Sequence, residues 1–210
     1  MASLHLPFPI SLTETVKSHG WSQLSPWNWD EAKETLSRPQ AIDAHKHFTI
    51  RISQKELNSI SVILDDETIK KNNVAEIYRI VQRWLSYDWD PTDAVAVAKT
   101  QNPQIAEFIK RGGGRFLRSS TFYEDLVKTL CTVNTNWAST KIMAAGLVNF
   151  VGNGIFPTPI MVNSQTEKAL RENCRMGFRT STLLHITDEL LRRRVIDQNG
   201  NVIEKTPTYH

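Results

Sequence analysis

The chain has 210 residues, of which 40% are hydrophobic and 22% charged. That is an ordinary globular composition, long enough for one large domain or two small ones with a real core. It excludes a helical membrane protein, since no apolar run approaches the ~20 residues of a span. The formal net charge of +3 leans only mildly toward polyanions.

The opening "MASLHLPFPISL" has neither the basic stretch nor the apolar stretch of a secretory leader. A cytoplasmic location is expected, nucleoid-associated in a prokaryote. Cys131 and Cys174 suit that reducing compartment and lack a metal-binding spacing. Residues 1–30 carry Pro7, Pro9, Pro26 and three of the six tryptophans, which reads as a loop-rich start held down by aromatics. "HFTIRIS" (47–53) alternates Phe48, Ile50 and Ile52 with Thr49, Arg51 and Ser53, as a half-buried strand does. "LNSISVILDD" (57–66) repeats the pattern with Ile60, Val62 and Leu64, so the pair predicts an antiparallel hairpin. "ETLSR" (34–38) offers a further strand.

From Val74 the period changes. Val74, Ile77, Tyr78, Val81, Trp84 and Leu85 fall at helical spacing. "DWDPTDAVAVAKT" then starts another helix, with Asp90 as its cap, Pro91 in the first turn and Asp93 as the box partner. Capping accounts for these acids better than metal ligation does. "RGGGR" (111–115) reads as a flexible break and a domain boundary. Beyond it the spacing predicts helices over 119–133, 136–151, 164–173 and 180–195, with "FPTP" (156–159) as a turn. "VIDQNGNVI" (195–203) has a short-hairpin signal at Asn199-Gly200. The fold class is α+β: a small antiparallel-sheet domain over 1–110 followed by a mostly helical domain over 111–210.

Familiar chemistry is absent. No phosphate-binding loop follows the glycine run, and "GNG" at 152–154 is no dinucleotide fingerprint. His45 and His47 have strand spacing but no companion ligands, so neither a metal nor any other cofactor is expected. Lys110, Arg111, Arg115 and Arg118 cluster, as do Arg192, Arg193 and Arg194; such clusters are more often solvated faces than nucleic-acid contacts. One oddity stands out. "CTVNTNW" (131–137) places Asn134 and Asn136 where a buried helix would continue, and asparagine is a poor helix-interior residue.

Residues 111–191 bring these pieces into one order. "GGGRFLRSSTFYEDLVKTLCTVNTNWASTKIMAAGLVNFVG", then "FPTP", then "CRMGFRTSTLLHITDELL" resembles the helix-hairpin-helix DNA glycosylase superfamily, in its 8-oxoguanine and 3-methyladenine branch. "SHGWSQLSPWNW" loosely resembles the opening of that branch's small sheet domain. The resemblance implies base-excision repair: binding of double-stranded DNA and extrusion of a damaged base. It implies that Asn134 fills the gap the base leaves, and that Gly177 introduces Phe178 as a wedge and Arg179 as a contact to the orphaned partner base. Arg115 and Arg118 become candidate phosphate contacts. Asn136 is read as the cap of the next helix, with Trp137 packing behind it.

The chain departs from that family at one place. The hairpin with its Leu-x-Gly-Val/Ile-Gly pattern, and the catalytic aspartate after it, are not found: Leu191 is followed by "RRRVIDQNGNVIEKTPTYH". Asp197 and Glu204 follow no hairpin, so no catalytic residue is assigned. The expectation is an incomplete glycosylase-like domain, acting as a monomer, that exposes apolar surface where further helices would pack. Two alternatives stay open: a non-catalytic module for damaged DNA, and a likeness of structure alone.

Overall fold

The computed structural model describes residues 2–43, 46–65 and 71–203. The chain forms two compact units, Met1–Ser120 and Thr121–His210.

The first unit is built on a five-stranded antiparallel sheet. Its strands are β1 (Ala2–His5), β2 (Asn28–Asp30), β3 (Thr35–Asp43), β4 (Lys46–Glu56) and β5 (Ser59–Leu64), in the order β1-β5-β4-β3-β2. The two alternating stretches form the expected hairpin, and "ETLSR" opens a strand longer than its sequence signal. Register explains why one face is apolar. Leu36 pairs with Ile52, and Ile52 with Val62, so alternation within each strand becomes a continuous buried row across three. The opposite face carries Thr35, Ser53, Ser61 and Ser3 in the matching row. Pro39 is tolerated in β3 because β2 pairs only with Thr35, Leu36 and Ser37, which leaves that edge open at Pro39.

A short helix, α1 (Leu12–Val16), and the longer α2 (Lys71–Trp84) belong to this unit. Ile77, Ile80, Val81, Trp84 and Leu85 bury against the sheet's apolar residues, as their helical spacing predicts. The aromatic start also packs as read: the Trp27 and Trp84 rings meet edge to face at 4.8 Å. After them come α3 (Thr92–Gln101) and α4 (Pro103–Lys110). The N-cap position of α3 is Pro91, one residue later than expected and without a side-chain cap; Asp90 instead folds the turn before it, its Oδ1 accepting from the Thr92 backbone N–H at 2.9 Å. The helix is interrupted where Pro103 restricts Asn102 to extended backbone, and the Asn102 side chain caps the second piece.

The glycine run is not a loose break. A Cβ on Gly112 would lie 2.4 Å from the Ile10 carbonyl carbon, and one on Gly113 would lie 2.3 Å from the Phe108 ring. Gly112 lets the chain cross close to residues 10 and 11, where the Ser11 N–H donates to the Gly112 carbonyl at 3.0 Å. Residues 111–120 therefore belong with the sheet. Leu117 joins the first core, and the Arg118 N–H donates to the Trp84 carbonyl at 2.9 Å. The first compact unit closes after Ser120 rather than at 110.

The second unit is helical: α5 (Phe122–Thr132), α6 (Trp137–Gly146), α7 (Pro159–Asn163), α8 (Glu167–Cys174) and α9 (Arg179–Arg192). A π-helical turn, Leu147–Val151, continues α6. Side-chain oxygens of Thr121, Asn136, Thr158 and Thr166 cap four of the five N-termini. "FPTP" does more than turn the chain, since Thr158 and Pro159 start the short α7, for which the sequence had only a turn signal. Tyr123, Val127, Met143, Leu147, Val151, Phe156, Leu170 and Leu183 form the core. Gly146 lets α6 approach α8, because a Cβ there would sit 2.7 Å from the Cys174 Cα. Within that core Lys128 and Glu124 form a buried ion pair, Nζ to Oε1 at 2.7 Å. Ile142, Phe150 and Ile160 are exposed on this unit. The Asn199-Gly200 hairpin is present in reduced form, as a single Ile196–Val202 bridge with Gly200 at φ +90° against Tyr123.

No helix among the described residues is long and apolar enough to cross a membrane. Among the same residues, no group of three His, Cys, Asp or Glu side chains is placed to hold a metal. His47 is exposed; His45 and Glu204 lie outside the described residues.

Candidate nucleic-acid interface

The site starts from the place where α5 stops. Thr132 is its last residue, Val133 turns to extended backbone and Asn134 takes φ +47°. That left-handed conformation costs most side chains of order 1 kcal/mol or more, and asparagine is among the few that tolerate it. Two residues on, Asn136 starts α6, its Oδ1 accepting from the Ser139 N–H at 2.8 Å. The two asparagines thus do different work. Asn136 is consumed as a cap, as read from the sequence. Asn134 is exposed, and no hydrogen bond of its amide is made to the described residues.

The turn is pinned from inside. The Thr140 hydroxyl donates to the Cys131 carbonyl at 3.1 Å, next to the Asn136 carbonyl at 3.2 Å. The larger restraint comes from the first residue of α9. Arg179 is only 6% exposed. Its Nε donates to the Val133 carbonyl at 3.1 Å, and its Nη2 to the Val133 carbonyl and, at 3.2 Å, to the Asn134 carbonyl. These carbonyls belong to the turn just past α5: Val133 is the C-cap residue and Asn134 the one after it. A cation there also meets the negative end of the helix dipole. Arg179 thus clamps, from another helix, the turn that follows α5.

The residues before Arg179 build the second half of the site. Gly177 sits at φ +58° with open space where a Cβ would be, so conformation rather than crowding calls for glycine. Phe178 follows and is 58% exposed, with its ring centroid 4.4 Å from the Arg179 guanidinium carbon. One buried guanidinium therefore touches both an exposed amide turn and an exposed aromatic ring. Beneath them, burial pushes the Cys131 thiol up to about 12 despite the opposing pull of the Arg179 charge.

The structure brings together Asn134, Gly177, Phe178 and Arg179. It does not present Arg179 as expected, because the guanidinium is turned inward onto carbonyls rather than free to fork onto a base. Arg115 and Arg118 stand in the other unit. Arg115 is 3% exposed, donates to the Ser86 carbonyl and lies 5.1 Å over the Trp89 ring. Burial lowers its pKa from the ordinary guanidinium value. That position is structural and leaves no guanidinium surface for a phosphate. Arg118 pairs with Asp88 at 2.9 Å. The charge clusters are similarly balanced: Glu107 meets Lys110 and Arg111, and Glu189 meets Arg192 and Arg193. Sequence reading missed Thr140 and Val133. The signal for Thr140 was its spacing, four residues after the capping Asn136, where a hydroxyl reaches back to a carbonyl. Trp137 is half-buried, in keeping with packing.

The α+β fold of this chain is similar to that of solved DNA glycosylases. The chain is similar to the 3-methyladenine DNA glycosylase from Archaeoglobus fulgidus, at 15% identity over 93% of this chain and 69% of that one, with a TM-score of 0.72. It is also similar to MBOgg1 in complex with a low affinity DNA ligand, at 19% identity over 91% of this chain and 63% of that one, with a TM-score of 0.64. A third similar structure is the Clostridium acetobutylicum 8-oxoguanine glycosylase/lyase in complex with DNA containing cytosine opposite 8-oxoguanine. There the identity is 16% over 92% of this chain and 66% of that one, with a TM-score of 0.57. The chain thus spans roughly two thirds of each of these proteins. No family model matches the sequence, and no curated protein matches it significantly.

Proposed function

We propose that this chain is a DNA glycosylase-like protein of base-excision repair that binds damaged duplex DNA and holds open the gap left by an extruded base. The observation that carries the reading is the pairing of an exposed Asn134 amide with an exposed Phe178 ring on one buried arginine, in a fold shared with DNA-bound glycosylases. Extruding a base costs a few kcal/mol of stacking and pairing, so something must occupy the vacancy. A primary amide donates and accepts, which suits the edge of whichever base is left unpaired. A phenyl ring at the surface wedges between base steps. The helical unit also carries exposed Lys141 and Arg175, available to phosphates.

Hydrolysis of the glycosyl bond is not assigned to a residue here. Asp197 is spent on its own hairpin, its Oδ1 accepting from the Asn199 and Asn201 N–H groups at 2.9 and 2.8 Å. The chain is expected to grip the distorted duplex without releasing the base, which makes a non-catalytic damage-binding module the second reading. Fluorescence anisotropy with duplexes containing 8-oxoguanine, alkylated adenine or an abasic analogue tests both. Damaged duplex should bind more tightly than intact duplex, with affinity falling as salt rises, and Asn134→Ala should erase the preference. Equal binding of damaged and intact DNA at low salt would sink the reading. Release of free base by the purified chain would instead locate a catalytic group in it.

A further inference from the structure

We infer that Arg179 is a positioning residue, holding the Asn134 turn from inside, so that this chain grips a gapped duplex with little regard to the base opposite the gap. The functional half rests on the duplex-binding reading above; the geometric half does not.

A guanidinium has five donors in a fixed fork. In Arg179 the Nε and Nη2 donors face Val133 and Asn134, Nη1 faces the Met176 carbonyl at 3.4 Å, and one flat face lies on Phe178. To read a base edge the side chain would have to leave all of these. It would strand the Val133 and Asn134 carbonyls and remove the support under a non-glycine residue at φ +47°. The groups left to meet the orphaned base are the Asn134 amide and the Phe178 ring. Neither discriminates strongly: the amide offers both hydrogen-bond roles, and every base has a face on which a ring can stack.

The experiment uses the full chain with Arg179→Gln, Arg179→Lys and Asn134→Ala. Hydrogen exchange is followed over 131–137, together with anisotropy on duplexes carrying a tetrahydrofuran abasic analogue opposite each of the four bases. In Arg179→Gln, exchange over 131–137 should speed about tenfold or more while the α5 and α8 cores stay protected, with Arg179→Lys in between. Unchanged exchange in both Arg179 variants would overturn the clamp. The unsubstituted chain should bind the four duplexes within about threefold of one another, and Arg179→Gln should weaken all four alike by about tenfold. Adding Arg179→Gln to Asn134→Ala should cost no more, because both remove one feature. A loss confined to a single opposite base would show the guanidinium reading that base and refute the proposal. If the unsubstituted chain ignores the abasic analogue, the duplex-binding reading fails, and hydrogen exchange alone decides whether Arg179 is the clamp.

Discussion

Both units bury arginines against aromatic rings, with different results. In the sheet unit Arg38 lies 4.6 Å over the Trp27 ring and 5.8 Å from that of Trp84, and both tryptophans are themselves buried. The cation there lies against two rings that pack on each other inside the core of the sheet unit. In the helical unit the ring on Arg179 is the exposed Phe178, and the carbonyls it holds belong to an exposed turn. A buried arginine by itself points to no function. What it supports, and whether that support ends in the interior or at the surface, separates the two cases.

Substitutions can break or sharpen this contrast. The largest effect is expected in the sheet unit. Trp84→Ala removes the ring that meets Trp27 and the Nε1–H that donates to Ser120, and should cost about 3–5 kcal/mol in urea denaturation. A cost under about 1 kcal/mol would show that this aromatic layer is not the core of the unit. In the helical unit, Lys128→Met leaves Glu124 buried beside an apolar neighbour and should cost about 3 kcal/mol or more. Adding Glu124→Leu should restore most of that stability, since a buried ion pair is replaced by two apolar groups. A double variant worse than the single one would mean the pair itself is strongly stabilising.

Smaller changes address the turn. Asn134→Ala places an alanine in left-handed backbone and should lose about 1 kcal/mol, whereas Asn134→Gly should keep stability within a few tenths. Both remove the amide and should weaken binding to damaged duplex equally. Retained affinity in Asn134→Gly would assign the effect to turn shape instead. The smallest expected effect is alkaline. Burial raises the Cys131 thiol from 9.0 to about 12 and that of Cys174 from 9.0 to about 11. A raised folded pKa means the unfolded chain ionises first, so stability is complete below pH 9.0 and declines as pH rises from there toward about 12. Denaturation midpoints across that range should fall less steeply for Cys131→Ala than for the unsubstituted chain. The thiols should also resist alkylation at neutral pH until the chain unfolds.

Much of the secondary structure and half of the site were legible in the sequence. Alternation identified β4 and β5, helical spacing identified α2, and the asparagines at 134 and 136 marked a break with one cap in it. Those features are local, set by period and by short-range competition between side chain and backbone. The glycine run misled because glycine has two uses, freedom and close approach, and only the Ile10 backbone beside Gly112 reveals which applies. Arg115 and Arg179 misled for a related reason. An arginine's charge is visible in the sequence, but whether it faces solvent depends on carbonyls 29 residues away at Ser86 and 46 residues away at Val133. The sequence by itself determined that a polar turn interrupts the helices and that an aromatic–arginine step begins another. Only the tertiary structure decided that the arginine turns inward to hold the turn while the amide and the ring face out, because a guanidinium goes where unpaired carbonyls are, and folding places them.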